Sequence, residues 1–320
     1  MLIKGSGGIR TKLNGLFRGE VGSAPDIVVN DMPSHAFDWP DWHLLPHEDA
    51  AWLARIRFVG RPLEHSLIGI CQGLNTGADD VFLMREAGRT FKRVVFGRSR
   101  ADGKTYRLEG DVTRPIIRGR HIKGYEAPES HDFCIFPFDP AGHVLPEDGL
   151  RGDFPHAYQY LTHCRSRLAA RPMKGGVPWY AASREVSDLF RCSPRLVSSK
   201  ISSPVGFTLI DNSTAVCHNS VVVIVPDASK IDPHCLLGIL NSSVFWRFIC
   251  LTTPYLGFGR QVLRLSDVRR FPIPWPMTEE QRRLCEMIGD LARQAMRGDD
   301  VRVVQGQIDT LAHLLYEIGD

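Results

Sequence analysis

The sequence predicts an α+β fold, a mixed sheet followed by a C-terminal helical hairpin. Three observations predict it. Apolar runs of strand length, at 68–71, 133–136 and 221–225, are bounded by Gly, Pro, Asn and Asp. An apolar helix pattern follows Asp232-Pro233. Finally, Thr278-Glu279-Glu280-Gln281 fits a capping box, and Val304, Ile308, Leu311, Leu315 and Ile318 recur at spacings of 4, 3, 4 and 3.

Composition bounds the rest. The chain has 320 residues, 43% hydrophobic and 23% charged, as in an ordinary globular protein able to bury a full core. The eight cysteines are scattered without a C-x-x-C pair, and residues 1–8 lack an apolar targeting core. Both features predict reduced thiols in a cytoplasmic protein. The longest aliphatic run, 221–225, is too short to span a bilayer. No zinc spacing is present.

Residues 1–47 read as a linker or docking segment. From Glu20 to Ala54 there is no Lys or Arg, but there are seven acids, with Trp39 and Trp42 among them. A linker with buried tryptophans is the preferred reading, a docking surface for another subunit the alternative. Residues 48–276 form the main domain and 277–320 the hairpin.

Glu48 to Phe58 reads as a short helix with Ala51, Leu53, Ala54 and Ile56 available for packing. The apolar run at 68–71 leads into Gly73-Leu74-Asn75-Thr76-Gly77 and then Val81-Phe82. This predicts a tight loop between two buried strands, with Asn75 and Thr76 at its tip. A strand at 133–136 lies between long loops. A helix is expected over 153–171, capped by Asp153, with Pro155 in its first turn and Arg165, Arg167 and Arg171 on its outer face. Trp179 reads equally as a base-stacking or a core residue. Residues 195–203 alternate as a strand, two further strands flank Asp211-Asn212-Ser213, and one helix carries Leu236 through Phe245. The C-terminal pattern reads first as an intramolecular hairpin and second as a subunit contact.

Charge is concentrated in one stretch. From Arg85 to Lys123 there are twelve Lys/Arg against four Asp/Glu, a net of +8 where the whole chain carries +3. Arg114, Arg118, Arg120 and Lys123 surround Ile116-Ile117 and alternate with glycine and apolar residues. That pattern predicts contact with a polyanion, nucleic acid first.

Two segments, Gly69 to Phe82 and Arg114-Pro-Ile-Ile-Arg-Gly-Arg-His-Ile-Lys-Gly-Tyr125, resemble the TaqI-like C-terminal specificity domain. That is the target-recognition domain of adenine-specific DNA methyltransferases and of restriction–modification enzymes fused to them. Leu237-Gly-Ile-Leu-Asn-Ser242 and Phe271-Pro-Ile-Pro274 match further segments of that family, so the resemblance covers about residues 50–276. It departs in the longer Gly-Leu-Asn-Thr-Gly loop and at His121, where the family commonly has Asp.

The resemblance implies double-stranded DNA as partner, with Asn75, Thr76, Arg114, Arg118, Arg120, Lys123, Trp179 and Arg260 as the contacting set. Catalysis is expected elsewhere. Adenine methylation needs an Asn-Pro-Pro-Tyr-type loop to hold the flipped base, and this sequence contains no Pro-Pro dipeptide and no convincing Gly-rich cofactor loop. S-adenosylmethionine and the chemistry are therefore expected on a methyltransferase subunit or a missing half. The alternatives are a metal-dependent nuclease and a protein-interaction module.

Overall fold

The computed structural model describes residues 45–317 apart from 89–92, 174–175, 185, 205, 213, 254–255 and 257–258. The expectations for the acidic segment before residue 45, for Ser213 and for Ile318 fall outside these. The chain divides into two units, 1–51 and 52–320. Of the first, residues 45–51 are described, and they enter helix α1 (His47–Val59).

The second unit continues with β1 (Gly60–Pro62), β2 (Leu67–Gln72), α2 (Asp79–Phe82), β3 (Leu83–Glu86), β4 (Val94–Ser99), β5 (Thr105–Glu109), β6 (Thr113–Ile117) and β7 (Asp132–Ile135). Helices α3 (Glu147–Asp153), α4 (Pro155–His163) and α5 (Arg165–Ala169) follow. Then come β8 (Arg195–Ser199), β9 (Ile201–Ser202), β10 (Phe207–Ile210), β11 (Val216–Cys217) and β12 (Val221–Pro226). The chain ends with α6 (Pro233–Asn241), α7 (Ser243–Thr252), β13 (Gln261–Val262), α8 (Leu265–Arg270), β14 (Pro272–Pro274), α9 (Glu279–Met296) and α10 (Val301–Leu315). The fold is α+β with C-terminal helices, as the sequence patterning predicts.

Two larger sheets carry the architecture. An antiparallel sheet has the order β10-β8-β12-β2. A six-stranded sheet has the order β11-β6-β7-β3-β4-β5, antiparallel except for the parallel pair β11–β6. An apolar cluster including Ile116, Cys134, Val197, Ile210, Val221 and Val223 draws on both sheets. The other cluster of the six-stranded sheet, with Met84, Leu108, Phe133 and Ile135, packs on Ala157, Tyr160 and Leu161 of α4. Strand β12 is buried at every position, so it reads as a continuous aliphatic run rather than an alternation.

Several elements differ from expectation, each for a local reason. Val81 and Phe82 close helix α2, and the second strand begins only at Leu83, in the other sheet. The turn is thus a link between sheets, not a hairpin. The helix expected over 153–171 is broken into α4 and α5 at Cys164, and Phe154, not Asp153, precedes Pro155 at the start of α4. The single helix expected after Pro233 bends by 61° at Ser242, whose hydroxyl caps α7 by accepting from Phe245 N–H. Helix α1 buries Trp52, Leu53 and Ile56, leaving Ala51 and Ala54 outward. Trp52 lies under the Arg247 guanidinium at 4.6 Å.

The Thr278–Gln281 capping box forms as read, and α9 packs on α6 and α10. Its buried face is Gln281, Cys285, Ile288 and Ala292, so Met287 is 52% exposed rather than inward. In α10 the buried face is Val304, Ile308, Ala312 and Leu315. The small residues follow from the close crossing of α6 and α9: a Cβ on Gly238 would stand 2.4 Å from Ile288 Cγ2. Asn241 fixes this layer to the sheets, accepting from Phe207 N–H at 2.7 Å and donating to Phe207 O at 3.0 Å. All eight cysteines are free of disulfides, and burial pushes the Cys134 and Cys217 thiols up to about 12. Among the described residues no single helix is long and apolar enough to cross a membrane.

Candidate nucleic-acid interface

Strand register assembles the charges. In the six-stranded sheet Arg85 on β3 pairs opposite Arg98 on β4 and, on its other side, opposite Asp132 on β7. Arg100 follows β4 directly. A short 3-10 turn, Gly119–His121, follows β6 and brings Arg120 and His121 to the same place, with Arg118 as the residue before it.

The centre of the cluster is the Asp132 carboxylate, whose side chain is 7% exposed. Arg100 Nη2 and Arg120 Nη2 both donate to its Oδ2 at 2.8 Å, and Arg118 Nη1 stands 3.9 Å from the same oxygen. Arg118 Nη1 is buried and has no hydrogen-bond partner among the described residues. Burial lowers the Arg118 pKa, and the neighbouring Arg120 and Arg100 charges lower it further. A cleft of about 690 Å³ opens here, lined by Arg85, Arg98, Arg100, Arg120, His121 and His131 together with Glu129 and Asp132. Among the described residues the lining holds four guanidiniums and two carboxylates, with Arg118 adjoining and Asp79 acting on Arg118 from behind. The surplus charge makes the cleft a focus for anions.

His121 is shaped by the same field. Burial lowers its pKa below the ordinary imidazole value, and Arg120, Arg118 and Arg100 add to that against the opposing pull of Asp132. Its Nδ1 accepts from Arg118 N–H at 3.2 Å, closing the 3-10 turn.

A polar strut holds the arm from behind. Gly119 N–H donates to Ser220 Oγ at 3.0 Å, and Ser220 Oγ lies 2.9 Å from His218 Nδ1. His218 Nε2 lies 2.7 Å from Asp79 Oδ2, and Thr76 Oγ1 donates to Asp79 Oδ1 at 2.6 Å. Ser220 N–H also donates to His218 Nδ1, so the ring proton sits on Nε2, toward Asp79. Burial alone would raise the Asp79 carboxyl, but the hydrogen bonds from His218 and Thr76 outweigh it and hold the group below its usual range. Ser, His and Asp in series resemble a nucleophilic relay, yet the serine oxygen is occupied by Gly119 N–H and none of the three lines the cleft. The chain's function here is to tie the 73–78 turn to the arginine-bearing arm.

Two glycines make this approach possible. A Cβ on Gly73 would fall 2.0 Å from His218 O, and one on Gly119 would fall 2.7 Å from Ser199 Oγ and 2.8 Å from Ser220 O.

The residues singled out by sequence divide between several places. Arg120 lines the cleft and Arg118 adjoins it. Arg114 donates to Asp111 O at 2.9 Å and Thr113 O at 2.8 Å, outside the cleft lining. Lys123 is exposed and pairs with Glu126 at 3.3 Å. Thr76, expected at an exposed tip, is fully buried. Its carbonyl accepts from the buried Arg171, a residue expected on an outer helix face. Asn75 is half-buried, and its Oδ1 accepts from Gly77 N–H at 3.1 Å. Trp179 is half-buried, with Arg165 over its ring at 4.8 Å and Tyr180 edge-on at 5.5 Å. Arg260 is exposed beside β13, whose partner is β9.

Individual reading missed Arg85, Arg98, Arg100, His131 and Asp132. The three arginines were inside the +8 stretch, so their charge was visible. Their convergence depends on long-range strand pairing that no local pattern encodes.

No protein-family model matches the chain. Among the described residues no three His, Cys, Asp or Glu side chains gather to hold a metal ion.

Proposed function

We propose that this chain recognises double-stranded DNA for an adenine-N6 restriction–modification methyltransferase, with S-adenosylmethionine and methyl transfer supplied by a methyltransferase subunit or a missing catalytic half. The observation that carries the reading is the Arg85–Arg98–Arg100–Arg118–Arg120 cleft, a concentration of guanidiniums exceeding its own carboxylates. Arginine suits this role because its planar fork meets both phosphate oxygens and guanine edges. The order of the sequence segments that resemble the specificity domain supports the same reading, and two of them meet in space. Tyr125 N–H donates to Phe207 O at 2.9 Å, the carbonyl that also accepts from Asn241.

The test is fluorescence anisotropy with a mixed-sequence duplex across several salt concentrations. Submicromolar to micromolar binding is expected, with affinity falling steeply as salt rises. Titration with S-adenosylmethionine and a tritiated-methyl assay on the single chain should both be blank, with methylation appearing on addition of the methyltransferase subunit. Absence of duplex binding at low salt would refute the recognition role. Robust methylation by the single chain would refute the division of labour.

A further inference from the structure

We propose that Asp132 is an internal stand-in for a phosphate group, and that the cleft seats one phosphate of the nucleic-acid backbone by exchanging that carboxylate for it. The inference rests on the DNA-binding reading and goes beyond it in naming the seat, its occupant and the group displaced.

Geometry carries the idea. A single oxygen, Asp132 Oδ2, receives Arg100 and Arg120 at 2.8 Å each and has Arg118 at 3.9 Å. Three guanidiniums directed at one oxygen is an arrangement that a tetrahedral oxyanion satisfies better than a carboxylate. A phosphodiester offers two charged oxygens and further ester oxygens in different directions, so that each fork can bond separately. The present arrangement leaves Arg118 Nη1 buried and, among the described residues, without a hydrogen-bond partner. Arg85 and Arg98 stand side by side across the β3–β4 pair with like charge, and among the described residues the cleft lining holds four guanidiniums against the two carboxylates of Asp132 and Glu129.

The mobility required is small. Arg100 and Arg120 are side chains 32% and 58% exposed, on the residue after β4 and in the turn after β6. They can turn from Asp132 to an anion in the cleft by rotating about their own side-chain bonds. Asp132 itself is held by the sheet, pairing with Arg85 on β3. In the free protein it keeps the guanidiniums together against their mutual repulsion. In the complex it is the charge that the phosphate has to outcompete.

This makes a prediction opposite in sign to that for a residue that merely positions the arginines. Asp132→Asn keeps the side-chain shape and removes the competing charge. In the full chain it should bind duplex about tenfold tighter at moderate salt and with a steeper salt dependence, by about one unit of slope. A second arm uses inorganic phosphate and sulfate alone, at ionic strength matched with chloride, and reads thermal unfolding. Ligand binding to the folded state raises the melting temperature by mass action. Asp132→Asn should gain at least about 3 °C more than wild type, whereas Arg283→Gln, on the exposed face of α9 outside the cleft lining, controls for the general stabilising action of these salts. Should Asp132→Asn fold only with phosphate or sulfate present, the exchange is supported. Should it fold in neither, Glu129→Gln, on the exposed carboxylate of the same cleft, should tighten duplex binding about twofold.

Weaker duplex binding by Asp132→Asn, or by Glu129→Gln where that variant is used, would overturn the proposal and make the carboxylates positioning residues. Wild-type duplex binding with no anion-specific gain in Asp132→Asn would also overturn it while leaving the DNA reading intact. An anion-specific gain without any duplex binding by wild type would support the phosphate seat and remove the DNA reading.

Discussion

Arg85 stands directly opposite Arg98 across the antiparallel pair β3–β4, so two guanidinium-bearing positions share one rung of the sheet. Like charges directly opposed cost stability, typically about 0.2–1 kcal/mol. Asp132, opposite Arg85 on its other side, offsets part of that repulsion. Arg98→Gln should therefore stabilise the free protein by a few tenths of a kcal/mol up to about 1 kcal/mol. In contrast, it should weaken duplex binding and reduce the salt slope by about one. Urea denaturation and salt-dependent anisotropy on the same preparation read both effects. Loss of stability together with unchanged binding would place Arg98 outside the interface.

Gly119 predicts the cost of disturbing the arm. Its Cα approaches Ser220 O and Ser199 Oγ so closely that a methyl would stand 2.8 and 2.7 Å from them. Ser199 Oγ can rotate, but Ser220 O belongs to the backbone. Gly119→Ala should destabilise by about 1–3 kcal/mol, the range for overpacking. It should also shift Arg118 and Arg120 away from the cleft, weakening duplex binding beyond what either arginine-to-alanine change does alone. A Gly119→Ala protein with wild-type melting temperature and affinity would show that the strut does not position the arm.

The strut carries its own acid signature. Asp79 has its carboxyl below the usual range, because the His218 and Thr76 hydrogen bonds outweigh the effect of burial. A carboxyl with a lowered folded pKa contributes stability above its unfolded value, near 4, and loses it as pH falls through the folded value. Asp79→Asn should be less stable than wild type at neutral pH. Between about pH 5 and pH 3 its melting temperature should fall less. Parallel melting curves for the two proteins across that range would show that Asp79 contributes nothing through its charge.

The extent to which the sequence could be read follows from the range of the interactions involved. The N-terminal capping box of α9, Thr278–Gln281, is local, set by four consecutive residues, and it forms as read. Strand β12 is equally visible, because five consecutive aliphatic residues have few alternatives. The turn at 73–77 reads as a tight loop leading straight into a strand because Val81 and Phe82 are strand-type residues, whereas they lie in α2. The first residue of that helix, Asp79, is held by His218, 139 residues away, a contact that no local pattern encodes. The cleft shows the same limit. Arg114, Arg118, Arg120 and Lys123 look alike in sequence, but only the 3-10 turn after β6 directs Arg120 at Asp132, while Arg114 turns back onto its own strand end. Asp132 gave no signal at all, since a single aspartate before an apolar run reads as a loop residue.

His121 supplies the last prediction, in which binding and stability respond to pH with opposite signs. Its pKa is lowered by burial and then by Arg120, Arg118 and Arg100, with Asp132 opposing. In the free protein the folded state therefore takes up the His121 proton later than the unfolded chain does. The residue costs nothing above about pH 6.5, and it destabilises as pH falls from there toward its folded value. A phosphate in the cleft reverses the field, because its negative charge favours the imidazolium. DNA binding should then take up a proton, and affinity should rise as pH falls from about 7.5 to 5.5. His131 also lines the cleft, so the contribution of His121 is read as the difference between wild type and His121→Gln. The variant should lose part of the acid-side gain in affinity, and its melting temperature should drop less over the same interval. If wild type and His121→Gln show the same pH dependence of duplex affinity, the imidazole does not face the bound phosphate.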